Sequence, residues 1–216
     1  MIDDAPAIQF FTDFERPDDQ DVDALRGLQS GFVVDALGGQ GALDFRIKPV
    51  DPEQSALCGV VLTCDCGAAD NLAVAAALKR ARPGDVLVAA TGAHTGCAVV
   101  GDLVLGMARN NGIAGFVTDG CVRDTRGIRE VGLPCFALGV SPNSPARNGP
   151  GTVGAPVVIG GVAIASGDIV VADEDGVVIV PRARVAATIA RLADVRRKED
   201  EMTAKVADGL KGFDFI

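Results

Sequence analysis

Apolar residues along this chain fall first into short continuous runs separated by helical patterns, and then into a different rhythm. Residues 56–66, "ALCGVVLTCDC", form an unbroken β-branched run, which predicts a strand covered on both faces. The runs "DVLVAAT" (85–91), "IAGFVT" (113–118) and "PCFAL" (134–138) predict further strands of this kind. Between them lie three helical stretches. "ADNLAVAAALKRA" (69–81) is Ala-rich and stopped by Pro83-Gly84, 101–111 ends at Asn110-Asn111-Gly112, and 124–131 is short. Upstream, 19–28 reads as a short helix and 31–39, "GFVVDALGG", as a helical segment closed by glycines. Alternating strands and helices predict an α/β core over the first two thirds.

After residue 138 the pattern changes. Residues 139–154, "GVSPNSPARNGPGTVG", are a Pro/Gly/Asn stretch that predicts a loop long enough to carry function. Residues 156–180 contain three short apolar runs punctuated by Gly-Gly, Ser-Gly-Asp and Asp-Gly, the signature of β-hairpins. From Arg182 a closing helix carries an apolar stripe at Val185, Ile189, Leu192, Val195, Met202 and Val206. Glu199 fills the gap in that stripe, and an unpaired buried carboxylate is costly. The periodicity leaves two readings open: a stripe widening to solvent with Glu199 paired to a nearby base, or Glu199 aimed at a polar pocket in an interface. Residues 1–18 carry Pro6, Pro17 and five acids without periodicity and read as an arm, with 19–216 as one domain.

Composition narrows the functional classes. At 216 residues with 48% hydrophobic content, the chain is long enough to bury a core, and without Trp or Tyr that core is aliphatic. A formal charge of −9 argues against nucleic acid or an anionic membrane as partner. No apolar stretch approaches eighteen residues, and the acidic start lacks a signal-peptide pattern, so a cytoplasmic location is expected. Six cysteines, at 58, 64, 66, 97, 121 and 135, sit mostly in apolar runs; Cys64-Asp65-Cys66 lacks zinc-site spacing, so buried free thiols are expected.

Candidate chemistry concentrates in two places. Gly101-Asp102-Leu103-Val104 opens a helix directly after an apolar run, and a helix start offers unpaired N–H groups to a carboxylate. Nineteen residues after Val104 come Arg123-Asp124, in "VTDGCVRD". Arg presents a planar donor fork for a carboxylate, and Asp is a hard oxygen ligand for Mg²⁺ or Mn²⁺. Taken singly, Asp102 also reads as a helix-dipole partner, and Arg123-Asp124 as an ion pair with Asp124 capping the next helix. Asp119-Gly120, Asp173 and Asp175 read as turns. His94, the one histidine, stands in the "GAHTG" loop, as an ordinary loop residue or at a substrate mouth. "GGQG" at 38–41 is not a dinucleotide fingerprint, and no P-loop is present.

The stretches "GDLVLGMARNNGIAGFVTDGCVRD", "GLPCFALGVSP" and "PVVIGGVAIASGDIVVADEDGVVIVP", with the final helix, resemble the RraA-like family over about Gly31 to Gly209. That family includes the class II 4-hydroxy-4-methyl-2-oxoglutarate/4-carboxy-4-hydroxy-2-oxoadipate aldolases and the ribonuclease E inhibitor proteins. The resemblance implies an α/β fold of the swivelling β/β/α type, assembled as a homotrimer or hexamer, whose C-terminal helix packs on a neighbouring subunit. It implies that the Gly101–Val104 backbone (Gly101, Asp102, Leu103, Val104) binds the pyruvyl carboxylate of a small 2-oxo acid and that Arg123 contacts substrate and stabilises the enolate. Asp124 would hold a divalent cation, Mg²⁺ or Mn²⁺, with Asp102 acting through water and Glu199 of a neighbouring subunit closing the site through water. The implied activity is a metal-dependent pyruvate aldolase, an oxaloacetate decarboxylase, or both; the alternative is a non-catalytic protein that inhibits a ribonuclease. One departure stands out: aldolase members often carry an acid three positions after the Asp of the Arg-Asp pair, where this chain has Gly127, with Glu130 a turn further as a possible substitute.

Overall fold

The apolar run at 56–66 becomes the axis of the fold. The computed structural model describes residues 7–213. It starts with strand β1 (Ile8–Phe10), helices α1 (Asp19–Leu25) and α2 (Ser30–Ala36), and the two-residue strand β2 (Lys48–Pro49). The alternating region follows as β3 (Leu57–Asp65), α3 (Leu72–Ala77), β4 (Asp85–Ala90), β5 (Ala98–Val100) and α4 (Asp102–Asn110). It continues through β6 (Gly115–Thr118), β7 (Cys121–Val122), α5 (Thr125–Val131), β8 (Cys135–Ala137) and β9 (Gly139–Val140). The last third holds β10 (Gly151–Val153), β11 (Val157–Ile159), β12 (Val162–Ile164), β13 (Ile169–Asp173), β14 (Gly176–Val180) and α6 (Val185–Ala207).

The main sheet runs β1-β10-β3-β4-β6-β8-β2, with β3, β4, β6 and β8 parallel. Strand β3 shares its other edge between two antiparallel partners: β13 along Leu57–Val60 and β10 at Cys64 and Asp65. Its side chains alternate between faces. Leu62 and Cys64 join a core with Ala73, Val74, Leu105, Ala108 and Ile128 of α3, α4 and α5. Leu57 and Val61 point the other way, into a core with Val157, Ile159 and Ile164 of the β11–β12 hairpin. Cys58 and Val60 meet α1, α2 and the start of α6. Coverage on both faces is why this strand shows no polar alternation in the sequence. The layers are a small β layer, the main sheet and helices: a mixed α/β architecture.

All six cysteines are free and buried. Burial pushes the Cys66 and Cys135 thiols up to about 12 and Cys58 to about 11, so these are inert packing groups. No helix among the described residues is long and apolar enough to cross a membrane.

Several sequence readings need adjustment. The Ala-rich helix is regular only over 72–77, because Asp70 and Asn71 are engaged elsewhere (below) and Leu72 N–H is capped by Asp70 Oδ1 at 2.8 Å. The expected 139–154 loop contains two strands, β9 and β10, and its free part shrinks to 141–150. Of the segment read as an arm, residues 1–6 lie outside the described residues. The remainder runs along the domain: β1 pairs with β10, Phe11 N–H donates to Val153 O at 2.7 Å, and Arg16 forms an ion pair with buried Asp85. Helix α6 buries Val185, Thr188 and Leu192 against its own chain, whereas Glu199 and Val206 stand exposed further along.

Candidate functional site

A second, three-stranded parallel sheet, β5-β7-β9, positions the candidate residues. Its strands branch from the chain just beyond the ends of β4, β6 and β8. Each leads straight into a candidate segment: β5 into Gly101 and α4, β7 into Arg123-Asp124 and α5, β9 into the 141–150 loop. Pairing continues past the strands, with Arg123 N–H donating to Val100 O at 3.1 Å and Ser141 N–H to Val122 O at 3.0 Å. Residues 22 apart in sequence thereby become neighbours, at the carboxyl ends of parallel strands where α/β proteins gather ligand-binding loops.

A cavity of about 230 Å³ opens there, lined by Gly101, Asp102, Leu103, Val104, Arg123 and Asp124, together with Asn71, Arg147 and apolar residues of α3 and α4. Arg123 Nε lies 3.2 Å from Asp124 Oδ2, and Arg123 Nη1 donates to Ser144 Oγ at 2.6 Å. The Asp124 carboxylate leans on the Gly101 backbone, where a Cβ would fall 2.3 Å from Oδ2. Only glycine permits that approach.

Asp124 is the first residue of the α5 entry but does not cap it: its side chain makes no capping hydrogen bond. Its backbone is left-handed, φ 58° and ψ 43°, one of three non-glycine residues with positive φ among those described. Such a conformation costs about 1 kcal/mol or more and persists where the surroundings impose it. The capping reading is therefore set aside, and the carboxylate stays open to the cavity.

At the start of α4, Asp102, Leu103 and Val104 have no carbonyl four residues back within the helix. The Leu103 N–H is taken by Asp102 Oδ1 at 2.7 Å, so a bound carboxylate would meet Asp102 and Val104 rather than all three. The other end of the Asp102 side chain lies over Gly127, where a Cβ would sit 2.1 Å from Oδ2 and 2.7 Å from Asp102 Cβ. Glu130, the substitute considered for an acid at 127, pairs with Arg126 at 3.2 Å on the exposed flank of α5 and, together with Asp102 and Gly127, lines an adjoining groove rather than this cavity. His94 does not line it either; its ring packs against Gly96. Asp119 does more than turn the chain. Buried, it accepts from Thr91 N–H (2.7 Å), Thr91 Oγ1 (3.0 Å) and Ala93 N–H (2.8 Å), tying the β4 exit to the β6 exit.

No residue of α6 reaches the cavity within one chain, and Glu199 forms no ion pair among the described residues. Asn71 and Arg147 also line the cavity, with no local sequence motif to mark either of them. Asn71 is almost fully buried, donates Nδ2 to Val99 O at 2.9 Å and accepts from Arg147 Nε at 3.1 Å. Beside it, Asp70 Oδ2 accepts from Asn148 N–H (2.6 Å) and Gly149 N–H (3.1 Å). Burial works to raise the Asp70 pKa, but the Leu72, Asn148, Gly149 and Asn71 N–H groups outweigh it and hold the carboxyl below its usual value. Its contribution is thus full above the ordinary carboxylate pKa of about 4 and is lost as pH falls through the lowered value. Protection of the Asn148 and Gly149 N–H groups from hydrogen exchange, taken relative to the intrinsic rate at each pH, is expected to fall below about pH 4, and Asp70→Asn to remove that acid dependence.

No group of three or more His, Cys, Asp or Glu side chains capable of holding a metal occurs among the described residues. The donors present, Asp124 with Asp102 nearby, do not suit zinc. They do suit Mg²⁺ or Mn²⁺, which keep much of their water and bind through one or two carboxylates.

Comparison with known proteins adds an independent observation. A family model described as RraA-like, Aldolase/RraA, matches residues 23–179. The "Putative 4-hydroxy-4-methyl-2-oxoglutarate aldolase" of Halalkalibacterium halodurans is 36% identical over 177 residues, covering 82% of this chain and 83% of that protein. Among solved structures, an uncharacterized protein from Pseudomonas syringae pv. tomato superposes with TM-score 0.79 at 26% identity, covering 92% of this chain and 97% of that one. The RNA-processing inhibitor RraA from Thermus thermophilis gives 0.66 at 30% identity, covering 71% and 93%.

Proposed function

Because the chain belongs to the RraA-like family, we propose that it is a divalent-cation-dependent lyase that cleaves a C–C bond of a small 2-oxo acid and releases pyruvate. The substrates would be 4-hydroxy-4-methyl-2-oxoglutarate and 4-carboxy-4-hydroxy-2-oxoadipate in a retro-aldol reaction, or oxaloacetate in a decarboxylation. The observation that carries this reading is the Arg123–Asp124 contact at 3.2 Å, open to a cavity walled by the α4 N-terminus. Names given to its relatives support aldolase activity at the level of the family.

In this reading the N–H groups of Asp102 and Val104 bind the carboxylate of the 2-oxo acid, helped by the positive end of α4. Asp124 holds the cation, with Asp102 acting through water. When bound there, such a cation supplies Lewis-acid polarisation of the 2-keto oxygen. Arg123 places a fixed positive charge where the enolate develops, and Ser144 and Asp124 hold its guanidinium in place. Retro-aldol cleavage also needs the C4 hydroxyl proton removed, and Asp102 is the carboxylate at the cavity wall available to draw it off through a water. Decarboxylation needs no such base, since CO₂ leaves directly.

We further propose a homotrimer or hexamer in which Glu199 of a neighbouring copy completes the site. Exposed Val206 on α6, and exposed Leu103 and Met107 beside the mouth, are the uncovered apolar surface such contacts would bury. The second reading, a non-catalytic inhibitor of a ribonuclease, draws on the likeness to the Thermus protein.

A pyruvate-release screen separates the two. Oxaloacetate and a panel of 4-hydroxy-2-oxo acids are incubated with the protein in Mg²⁺, Mn²⁺ or EDTA, against controls with cation alone. Pyruvate above the control, abolished by EDTA, is expected. A panel with none would overturn the lyase reading.

A further inference from the structure

A second guanidinium lines the cavity, and nothing in the proposed chemistry uses it. Arg147 reaches the wall from the 141–150 loop. Its backbone is clamped on both sides. Ala146 N–H donates to Ala69 O at 2.7 Å and Ala146 O accepts from Asn71 N–H at 3.1 Å, while Asp70 holds the Asn148 and Gly149 N–H groups. The side chain is oriented as well: Asn71 commits its NH₂ to Val99 O, which leaves its carbonyl to accept Arg147 Nε. No carboxylate pairs with Arg147 among the described residues, and its terminal Nη groups have no protein partner there.

A guanidinium fixed at Nε and left open at both Nη atoms matches the two oxygens of a carboxylate. Holding the loop does not explain it, because Asp70 and the Ala146 pairing already do so. Charge points the same way. Arg123 and Arg147 balance Asp102 and Asp124, so a divalent cation leaves the cavity with two positive charges, suited to a dianion. The volume, that of roughly eight waters, fits a short-chain acid.

We propose that Arg147 is a specificity-determining residue that binds the distal carboxylate of a dicarboxylic 2-oxo acid, with Asn71 as its positioning residue. This rests on the 2-oxo acid reading of the cavity but not on turnover. The test compares 2-oxoglutarate with 2-oxopentanoate, unreactive five-carbon 2-oxo acids differing only at the distal carboxylate. Binding of each is measured calorimetrically in Mg²⁺ to wild type, Arg147→Ala and Arg147→Lys.

Wild type is expected to prefer 2-oxoglutarate at least tenfold. Arg147→Ala should abolish the preference while binding 2-oxopentanoate within about twofold of wild type, and Arg147→Lys should restore only part of it, since an ammonium cannot serve Asn71 and a carboxylate in one plane. The proposal is overturned if wild type shows no preference or binds neither acid, or if Arg147→Ala keeps the preference. Parallel loss of both ligands in Arg147→Ala would also overturn it, by marking a purely structural role. Failure of the lyase reading is seen separately, as absence of pyruvate in the wild-type screen.

Discussion

Arg123→Ala is expected to lower kcat/KM for pyruvate release by roughly 10²–10³-fold, the usual consequence of removing one preorganised donor to a developing oxyanion. The fold should survive. The side chain is 37% exposed, and its partners, Ser144 and Asp124, are exposed as well. An exposed pair of this kind is worth about 1 kcal/mol or less, so the melting temperature should hardly move. Arg123→Lys should not rescue activity, because one ammonium cannot replace a planar fork that meets Ser144, Asp124 and substrate together. For Asp124 the informative change is Asp124→Asn. Asn tolerates the left-handed backbone at this position as well as Asp does, so charge is removed without added strain. Activity should fall at least as far as in Arg123→Ala, with weakened Mn²⁺ binding in a direct titration. Steady-state pyruvate assays with thermal unfolding on the same samples check both expectations.

Restoring an acid at position 127 is expected to damage this protein rather than improve it. In Gly127→Glu the new Cβ would fall 2.7 Å from Asp102 Cβ and Cγ. Rotation can move the Asp102 carboxylate aside, but its Cβ is fixed to the first turn of α4, so α4 and α5 must separate. Overpacking of this sort costs about 1–3 kcal/mol. Asp102 would also be driven off its contact with Leu103 N–H, disturbing the helix start proposed to bind the 2-oxo acid. Loss of stability and a raised KM for every 2-oxo acid are expected. Gly127→Ala should show most of the same effect, which places the cause in the first carbon rather than the charge. A gain of aldol cleavage in Gly127→Glu would show that Asp102 can retreat and that the site accepts a second acid.

Strands β3, β4, β6 and β8 were legible in the sequence because they are covered on both faces and so read as unbroken apolar runs. Gly101–Val104 and Arg123-Asp124 were legible because each is a local motif at a strand-to-helix junction. The sheet that joins them was not. Strands β5, β7 and β9 are two or three residues long, too short for any period to show. Strand β1 escaped notice because it docks through backbone pairing with β10 while Phe10 stays exposed. Arg147 and Asn71 lie 76 residues apart, and the sequence, in which Asn71 reads as part of the helix over 69–81, carries no sign that they meet. That Asp102 fills the space over Gly127 is a contact between two helices, which no single stretch of sequence encodes.

In the lyase reading the Arg123–Asp124 pair at the mouth of the cavity drives C–C cleavage of a 2-oxo acid. The most direct measurement is the initial rate of pyruvate formation from oxaloacetate in Mg²⁺, for wild type and Asp124→Asn, each against a protein-free solution at the same Mg²⁺ concentration. A wild-type rate well above that background, lost in Asp124→Asn and in EDTA, is the expected result. Equal rates in wild type and Asp124→Asn would contradict it.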